Sequence, residues 1–571
     1  MPDTDSQPQS FWARSTTSIC LLVLLAGFSI YLAMDRIYQV DECQNVYVAR
    51  ILASGWSGHF YSSSELLHLL PLTWLAGRFQ DSGSLYTASR LVMILVFWLN
   101  TLLTATACGI PWKDKKFIWV LLGAATLAPL WDYGFEIRHD NLVLLFLLLS
   151  WNLLRNPRGP AWFLPFALGA LAAIMQFATF KAFIYWVPLG AIVMVVPPLP
   201  LRGKRLRVFL LMLLGFLAAG LLVALAFKWS GQLSTFMEGI RMALSFSSDG
   251  ASRFGPWDTL ARLIFQAPLL LGVGVAALVW NFSHFNSERQ APNVWGGVFP
   301  ETLFLCVALL ALLANPAPYP YNLVLLTPFA FILSVRWLVV ACEGSTLSPT
   351  MTRLAIMVVL FTHMTPFVKS TLRHLDFSND RQQLLMATAE ALTDPARDCV
   401  YDASGLVASR KSAGYQWFLH SLIVNRIYEG RLPGLAQMLA QNPAPVVIPS
   451  YRFVWLRPED VSFIQAHYLG LAGDFYVLGG ALKGPNPTYE CLRAGRYEVS
   501  VLAENHVGVR PAVQMDGQAL NLPAVLSLPV GNHSFAFQAD ASLKITWLGP
   551  VLKQSPVLPP GDADRVFINW Y

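Results

Sequence analysis

Long apolar runs separated by short polar loops dominate the first 370 residues of the chain. A run of about 20 apolar residues can cross the hydrocarbon core of a bilayer as a helix. The pattern predicts about eleven membrane-spanning helices, at residues 18–34, 84–109, 117–131, 140–154, 161–180, 182–197, 206–228, 264–281, 300–314, 320–341 and 353–369. We therefore expect a polytopic α-helical membrane domain over residues 1–370, with the first span an uncleaved anchor.

After residue 370 the pattern becomes typical of a folded domain outside the bilayer. Residues 371–480 combine helix-like segments such as "DRQQLLMATAEALT" with short apolar strands such as "PVVIPS", which favours a small α/β domain. Residues 481–571 show the alternation of β-strands, as in "RYEVSVL", and place Gly531 and Asn532 between two strand-like runs. This part predicts a β-sandwich domain with hairpins.

Composition supports a membrane protein and gives its orientation. Of 571 residues 55% are hydrophobic and only 13% are charged, which excludes an ordinary soluble protein. The net charge of +6 does not indicate nucleic-acid binding, because the basic residues lie in short loops such as "PWKDKK", "LRNPRG" and "LRGKRLR". The loops around Asp41, Glu136 and Tyr319 carry few of them. The positive-inside rule thus predicts a cytoplasmic N-terminus, with these loops and the C-terminal domains outside.

Charged residues near the bilayer occur at three places on the predicted outer side. Asp41 and Glu42 follow the first span, Arg138 and Asp140 lie in "WDYGFEIRHDN", and Lys181 lies between the fifth and sixth spans. Ionisable groups at membrane depth are costly and usually line a functional cavity. The alternative is that each is an interfacial side chain that reaches the headgroups.

Together these residue types suit transfer chemistry at a lipid-borne phosphate. A carboxylate can take the proton of an acceptor hydroxyl, and a cation can neutralise a departing phosphate. We expect Asp41 to be the base, Glu42 to orient it and Asp140 to be a second acid, with Lys181 and Arg138 on the phosphate. The alternative is that Asp41 and Glu42 only cap the following helix, which we expect to lie at the lipid boundary.

Three motifs, in order, resemble one known family. The acidic pair in "QVDECQNVYVARIL", the R-x-D element in "EIRHDN" and the lysine in "FATFKAF" resemble the GT-C superfamily of polyprenyl-phosphate-sugar glycosyltransferases. Within it, the protein O-mannosyltransferases and the bacterial lipid A aminoarabinose transferase are the most similar branch. The resemblance covers roughly residues 18–340. It implies that Asp41 is the catalytic acid of the first loop, Asp140 the acid of the second loop and Lys181 the cation near the donor phosphate.

The resemblance also implies a reaction and its place in the cell. An inverting enzyme of the bacterial inner membrane would move a sugar from undecaprenyl phosphate to lipid A, a surface polysaccharide or a protein on the periplasmic side. Further contacts to donor or acceptor are expected from "SSSELLHLLPL", with Glu65 and His68, and from "PYPYNLVLLTPFAFIL", with Tyr319 and Tyr321.

Several alternatives stay open at this level. We expect no cofactor, because no H-x-x-x-H spacing supports a metal site, although some relatives in the superfamily use a divalent metal. Cys399 and Cys491 could form a disulfide outside the cytoplasm or remain buried thiols. A transporter or flippase of lipid-linked sugars would also carry buried charges, but transporters tend to show inverted repeats, which we do not find in this sequence.

Overall fold

The structure is a computed structural model of the 571-residue chain. It describes residues 9–56, 58, 66–157, 159–197, 203–234, 298–313, 320–344, 349–502, 512–538 and 541–568, with isolated positions between 237 and 272. All structural statements below concern these residues.

Helices build the N-terminal part of the protein. They are α1 (Gln9–Asp35), α2 (Val40–Ser54), α3 (Leu66–Arg78), α4 (Ser82–Ala107), α5 (Lys116–Ala125), α6 (Ala128–Tyr133), α7 (His139–Arg155), α8 (Phe163–Ala178), α9 (Phe183–Val195), α10 (Arg205–Trp229), α11 (Phe299–Leu313), α12 (Leu323–Gly344) and α13 (Pro349–Leu375). In the described part of the chain, three helices are long and apolar enough to cross a membrane: α1 from Thr16, α4 and α10. The protein is therefore a multi-pass membrane protein.

The helix positions agree better with the sequence pattern than the number of spans does. Helices lie at ten of the eleven predicted spans, and the span predicted at 264–281 falls outside the described residues. The span predicted at 117–131 is divided into α5 and α6, with Pro129 in the first turn of α6. At ten residues, α5 is only about 15 Å long, half the thickness of the bilayer core. The count of eleven spans is therefore not established.

Helix α2 lies in a different environment from the one that we expected. Eleven of its fifteen residues are buried, so it does not lie along the lipid boundary. The Tyr47 ring packs 4.5 Å from the Trp417 ring, and the Tyr47 hydroxyl accepts a 2.6 Å hydrogen bond from the Ser412 backbone N–H. Helix α2 is therefore enclosed between the membrane helices and the C-terminal part of the chain. Helix α3, which the sequence pattern did not predict, packs against it, and Arg50 donates hydrogen bonds to the carbonyls of Ala76 and Phe79.

The C-terminal part combines helices with two β-sheets. The helices are α14 (Asp380–Ala391), α15 (Ser421–Tyr428), α16 (Leu435–Gln441) and α17 (Pro458–His467). The strands are β1 (Cys399–Tyr401), β2 (Lys411–Ser412), β3 (Val446–Val447), β4 (Tyr468–Ala472), β5 (Phe475–Lys483), β6 (Thr488–Cys491), β7 (Gly495–Val501), β8 (Val513–Met515), β9 (Gln518–Leu520), β10 (Ala524–Leu528), β11 (Gly531–Ala536) and β12 (Ser542–Trp547). An eight-stranded sheet has the order β10-β7-β12-β5-β3-β1-β2 with β4 also on β5, and a four-stranded sheet has the order β6-β11-β8-β9.

Strand β5 joins the two regions that the sequence suggested as separate domains. Its first half pairs with β3 and β4, and its second half, from Gly479 to Lys483, pairs with β12. The boundary expected between residues 480 and 481 therefore falls inside a strand of a continuous sheet. At Gly479 the backbone φ is +152°, and a Cβ atom would lie 2.0 Å from the Ile545 carbonyl oxygen, so the close approach of β12 requires glycine there.

Two other expectations about the C-terminal part can be compared with the structure. Gly531 and Asn532, where we expected a turn, are the first two residues of β11. Strands β10 and β11 pair in different sheets and so do not form a hairpin. Cys399 and Cys491 are free thiols, and the Cys491 thiol donates to the Arg493 carbonyl at 3.1 Å. Burial raises the pKa of the Cys399 thiol to about 11. The alternative of two buried thiols is the one that the structure shows.

Candidate functional site

The acidic pair lies in the first turn of α2, where its two carboxylates have different surroundings. Consecutive helical residues point about 100° apart, so one side chain can face the core while its neighbour faces outward. The Glu42 side chain is 0% exposed, whereas that of Asp41 is 40% exposed. The exposure alone separates an anchored acid from an accessible one.

Glu42 is held by groups from three segments of the chain. Its carboxylate accepts hydrogen bonds from the backbone N–H of Gln39 at 2.8 Å and of Ile137 at 3.1 Å. Arg90 of α4 donates to both carboxylate oxygens, at 3.0 and 2.8 Å. Burial alone raises the pKa of Glu42, but the Arg90 guanidinium reverses the shift and holds the pKa below its usual value. The contact with the Gln39 N–H is the helix-cap contact of the alternative interpretation, and the orienting role of Glu42 stays a prediction.

Arg90 was not singled out in the sequence, although it organises the loop between α1 and α2. It is buried, donates to the carbonyl oxygens of Ala33, Arg36 and Ile37, and lies with its Cζ 4.2 Å from the centre of the Tyr38 ring. The only sequence signal for this role is a charged residue inside an apolar span, which is a general sign of buried pairing.

Arg138 is the centre of the candidate site. Its Nη1 donates to Asp41 Oδ2 at 2.6 Å, and its Nε donates to Asp140 Oδ2 at 3.2 Å. Its Nη1 also lies 3.6 Å from Glu136 Oε2, and its Cζ lies 3.8 Å from the centre of the Tyr321 ring. The Arg138 side chain is 3% exposed. One planar guanidinium thus joins the first turn of α2, the start of α7 and the short helical turn before α12.

Lys181 reaches the same site from the short helical turn Phe180–Ala182 between α8 and α9. Its Nζ donates to the Tyr321 hydroxyl at 3.3 Å and lies 5.6 Å from the centre of the Tyr321 ring. Tyr321 therefore lies between the two cations, Arg138 and Lys181. The structure brings together Asp41, Arg138, Asp140, Lys181 and Tyr321, the first and last of which are 280 residues apart in the sequence.

Three further predicted residues are not placed at the site. Glu65 and Tyr319 lie outside the described residues, as does the side chain of His68 at the start of α3. Their contacts with donor or acceptor stay predictions.

Two further polar clusters, not predicted from the sequence, hold the loop between α6 and α7. Arg36 forms an ion pair with Glu136, and both side chains are buried. Burial raises the pKa of Glu136 to about 7, against the attraction of Arg36 and Arg138. Asp132 accepts hydrogen bonds from Ser370 and from Arg373 of α13, and its Oδ1 lies 2.9 Å from His374 Nε2. Because these partners lie 100 or more residues apart, local spacing gives no sign of them.

The electrostatics of the site favour an ionised Asp41. Burial by itself raises the pKa of Asp41, but the nearby Arg138 outweighs it and holds the pKa below the usual value. The site then presents an accessible carboxylate beside two cations, which can bind an anion in charge-assisted hydrogen bonds. In the described part of the chain no group of three or more His, Cys, Asp or Glu side chains could hold a metal ion.

The fold and this site define a multi-pass membrane protein in which an acidic first loop is linked by arginine to the second. No protein-family model matches the chain, and no curated protein matches its sequence significantly. Solved structures do. ArnT from Cupriavidus metallidurans in the apo state has a TM-score of 0.52 and 14% identity, over 83% of this chain and 98% of that one.

Two other solved structures give the same result. ArnT from Cupriavidus metallidurans bound to undecaprenyl phosphate has a TM-score of 0.50 and 14% identity, over 81% of this chain and 97% of that one. The apo oligosaccharyltransferase from Archaeoglobus fulgidus has a TM-score of 0.51 and 11% identity, over 83% of this chain and 73% of that one. Both proteins belong to the GT-C superfamily, so the resemblance seen in three short motifs is confirmed at the level of the fold.

Proposed function

We propose that the protein is an inverting glycosyltransferase that moves a sugar from an undecaprenyl-phosphate-linked donor to an acceptor outside the cytoplasm. The observation that carries this proposal is the contact of Arg138 with both Asp41 and Asp140 while it packs on Tyr321, the hydrogen-bond partner of Lys181. An accessible carboxylate beside two cations suits this transfer, and ArnT, which has the same fold, binds undecaprenyl phosphate.

The proposed step is a single displacement at the anomeric carbon of the donor sugar. The acceptor oxygen forms the new bond while the bond from the anomeric carbon to the phosphate oxygen breaks, and the electron pair leaves with the phosphate. Asp41 takes the proton of the acceptor hydroxyl. Lys181 and Arg138 neutralise the charge that develops on the phosphate, and Asp140 holds the Arg138 guanidinium in place. This chemistry requires no cofactor.

The proposed location is the inner membrane of a bacterium, with the site on the periplasmic side. The distribution of basic loops supports this orientation. The packing of Tyr47 against Trp417 supports it as well, because we expect such a contact only if α2 and the C-terminal part lie on the same side of the membrane. The acceptor belongs to one of three classes: lipid A, a surface polysaccharide or a protein.

The proposal is tested with the full-length protein in lipid nanodiscs. Wild type is expected to bind undecaprenyl phosphate, and Lys181→Ala to bind it roughly tenfold more weakly, because one charge partner of the phosphate is lost. Lys113→Ala is the matched control, since Lys113 is an exposed lysine of the basic loop between α4 and α5. A wild-type protein that does not bind undecaprenyl phosphate overturns the proposal.

Mass spectrometry of envelope glycolipids, glycans and proteins from cells with and without the protein identifies the acceptor. If the protein is a glycosyltransferase, cells without it lack the sugar on one envelope product. The sugar returns when the wild-type protein is restored, but not when the Asp41→Asn variant is supplied instead. A flippase differs in this experiment, because Asp41→Asn would still restore the product if Asp41 took no part in transfer.

A further inference from the structure

Arg452 in the C-terminal part is a buried cation that the proposed mechanism does not use. It lies in the short helical segment Tyr451–Trp455 and is 6% exposed. Its Cζ lies 4.4 Å from the centre of the Phe418 ring and 5.7 Å from the centres of the Tyr451 and Trp455 rings, and its Nη1 donates to the Leu419 carbonyl. Among the described residues, its buried Nε has no hydrogen-bond partner and no carboxylate lies within ion-pair distance of its side chain.

The stretch on which Arg452 packs, Trp417 to Leu419, also contacts the helix that carries Asp41. Trp417, next to Phe418, packs on Tyr47 of α2, and the Leu419 N–H donates to the Ala403 carbonyl at 3.1 Å. Tyr47 is six residues from Asp41, about 9 Å along the helix. Arg452 therefore belongs to the C-terminal part that packs on α2, whereas Arg138 and Lys181 belong to the N-terminal part.

The charge of Arg452 also reaches Asp41. Burial raises the pKa of Asp41, and the positive charges of Arg138 and Arg452 lower it. The accessible carboxylate is thus within the electrostatic influence of one cation from the N-terminal part and one from the C-terminal part.

A buried guanidinium without a carboxylate partner is costly, and an anion that binds there would remove part of the cost. Half-buried Tyr451 and Trp455 flank it and offer apolar rings beside the charge, a combination suited to a sugar that bears an anionic group. The donor phosphate is already accounted for by Lys181 and Arg138, so the anion near Arg452 belongs to the second substrate.

We propose that Arg452 selects the acceptor by binding an anionic group, phosphate or carboxylate, on the sugar whose hydroxyl faces Asp41. The inference rests on the proposed glycosyl transfer and adds the chemical class of its acceptor. A neutral acceptor would offer the Arg452 guanidinium no anion at ion-pair distance and would bind more weakly.

The experiment uses the full-length protein in nanodiscs with the donor phosphate site saturated by undecaprenyl phosphate. Binding of glucose 1-phosphate, glucuronate and methyl glucoside is then measured by calorimetry for wild type, Arg452→Gln, Arg452→Lys and the control Arg431→Ala, an exposed arginine of the same part. Glucose 1-phosphate and glucuronate separate a phosphate from a carboxylate, and methyl glucoside is the neutral reference.

Wild type is expected to bind at least one anionic sugar at least tenfold more tightly than methyl glucoside. Arg452→Gln abolishes this preference, Arg452→Lys retains most of it because the charge remains, and Arg431→Ala leaves it unchanged. A preference that survives in Arg452→Gln, or no preference in wild type, overturns the assignment. Binding of undecaprenyl phosphate to each variant reports folding and tests the proposed function independently, since that ligand does not contact Arg452 in the arrangement proposed.

Discussion

The two ends of α7 carry arginine–carboxylate clusters of similar composition and different accessibility. At the start of α7, Arg138 binds Asp41 and Asp140, and the Asp41 side chain is 40% exposed. At its other end, Arg155 forms an ion pair with Glu301 of α11, and the Nε of Arg336 in α12 lies 3.6 Å from the same carboxylate. The Glu301 side chain is 0% exposed.

The difference in exposure between the two carboxylates decides whether a cluster stabilises the fold or binds a ligand. A fully enclosed pair is removed from water, so its role is to hold α7, α11 and α12 together. Removal of one partner from such a pair leaves an uncompensated charge. A cluster with one exposed carboxylate keeps a position for a ligand, and that carboxylate can exchange a proton with it.

The largest expected effect is on the enclosed cluster. Glu301→Ala leaves Arg155 and Arg336 buried without their carboxylate, and we expect a loss of about 3–5 kcal/mol in the free energy of unfolding. Thermal unfolding of the purified protein in detergent measures it. Undecaprenyl phosphate affinity of the molecules that remain folded should be unchanged. If stability were unaffected and ligand affinity fell, the cluster at Glu301 would bind the ligand and would not be a structural ion pair.

The next effect is on the open cluster and concerns rate. Asp41→Asn keeps the size of the side chain in the first turn of α2 but removes the base, so turnover of donor should fall at least roughly a hundredfold with little change in the melting temperature. Single-turnover assays in nanodiscs measure the rate. Full activity of this variant would show that Asp41 takes no part in proton transfer.

A third prediction compares the two neighbouring acids of α2. Glu42→Gln weakens the charge-assisted bonds to Arg90, and we expect a loss of about 1.5–3 kcal/mol in stability. Donor turnover should fall less than in Asp41→Asn, because Glu42 orients the site and exchanges no proton. A larger loss of rate than in Asp41→Asn, at unchanged stability, would show that Glu42 is the base.

The smallest effect is a shift in pH dependence. Because the pKa of Asp41 is lowered in the folded protein, its ionised form adds stability above its unfolded pKa and the contribution is lost as pH falls through the folded pKa. Arg138→Gln removes the positive charge that lowers the pKa of Asp41, while burial still raises it. The pKa of Asp41 should therefore rise, and the acidic limb of the rate profile should move to higher pH. A pH–rate profile on residual activity measures this. An unmoved limb would separate Asp41 from the proton transfer.

Local pattern was sufficient for some of these features. Apolar runs predicted where helices lie, because burial in lipid demands long apolar segments whatever their neighbours are. The order of the acidic pair, the R-x-D element and the lysine predicted a shared site, since basic loops placed Asp41, Asp140 and Lys181 on the same side of the membrane. The fold class followed from the same three motifs.

Other features depended on partners far along the chain. Glu42 is enclosed because it pairs with Arg90, 48 residues away. Asp41 is exposed because consecutive side chains of a helix point about 100° apart. The enclosure of α2, the passage of β5 through the expected domain boundary and the position of Arg452 near Asp41 all depend on how the C-terminal part packs onto the membrane helices. The sequence by itself determined which segments are apolar, where charges occur and on which side of the membrane we expect them. Only the tertiary structure decided which charges are paired and which stay open, because burial and pairing are properties of neighbours in space and leave no periodic signal along the chain.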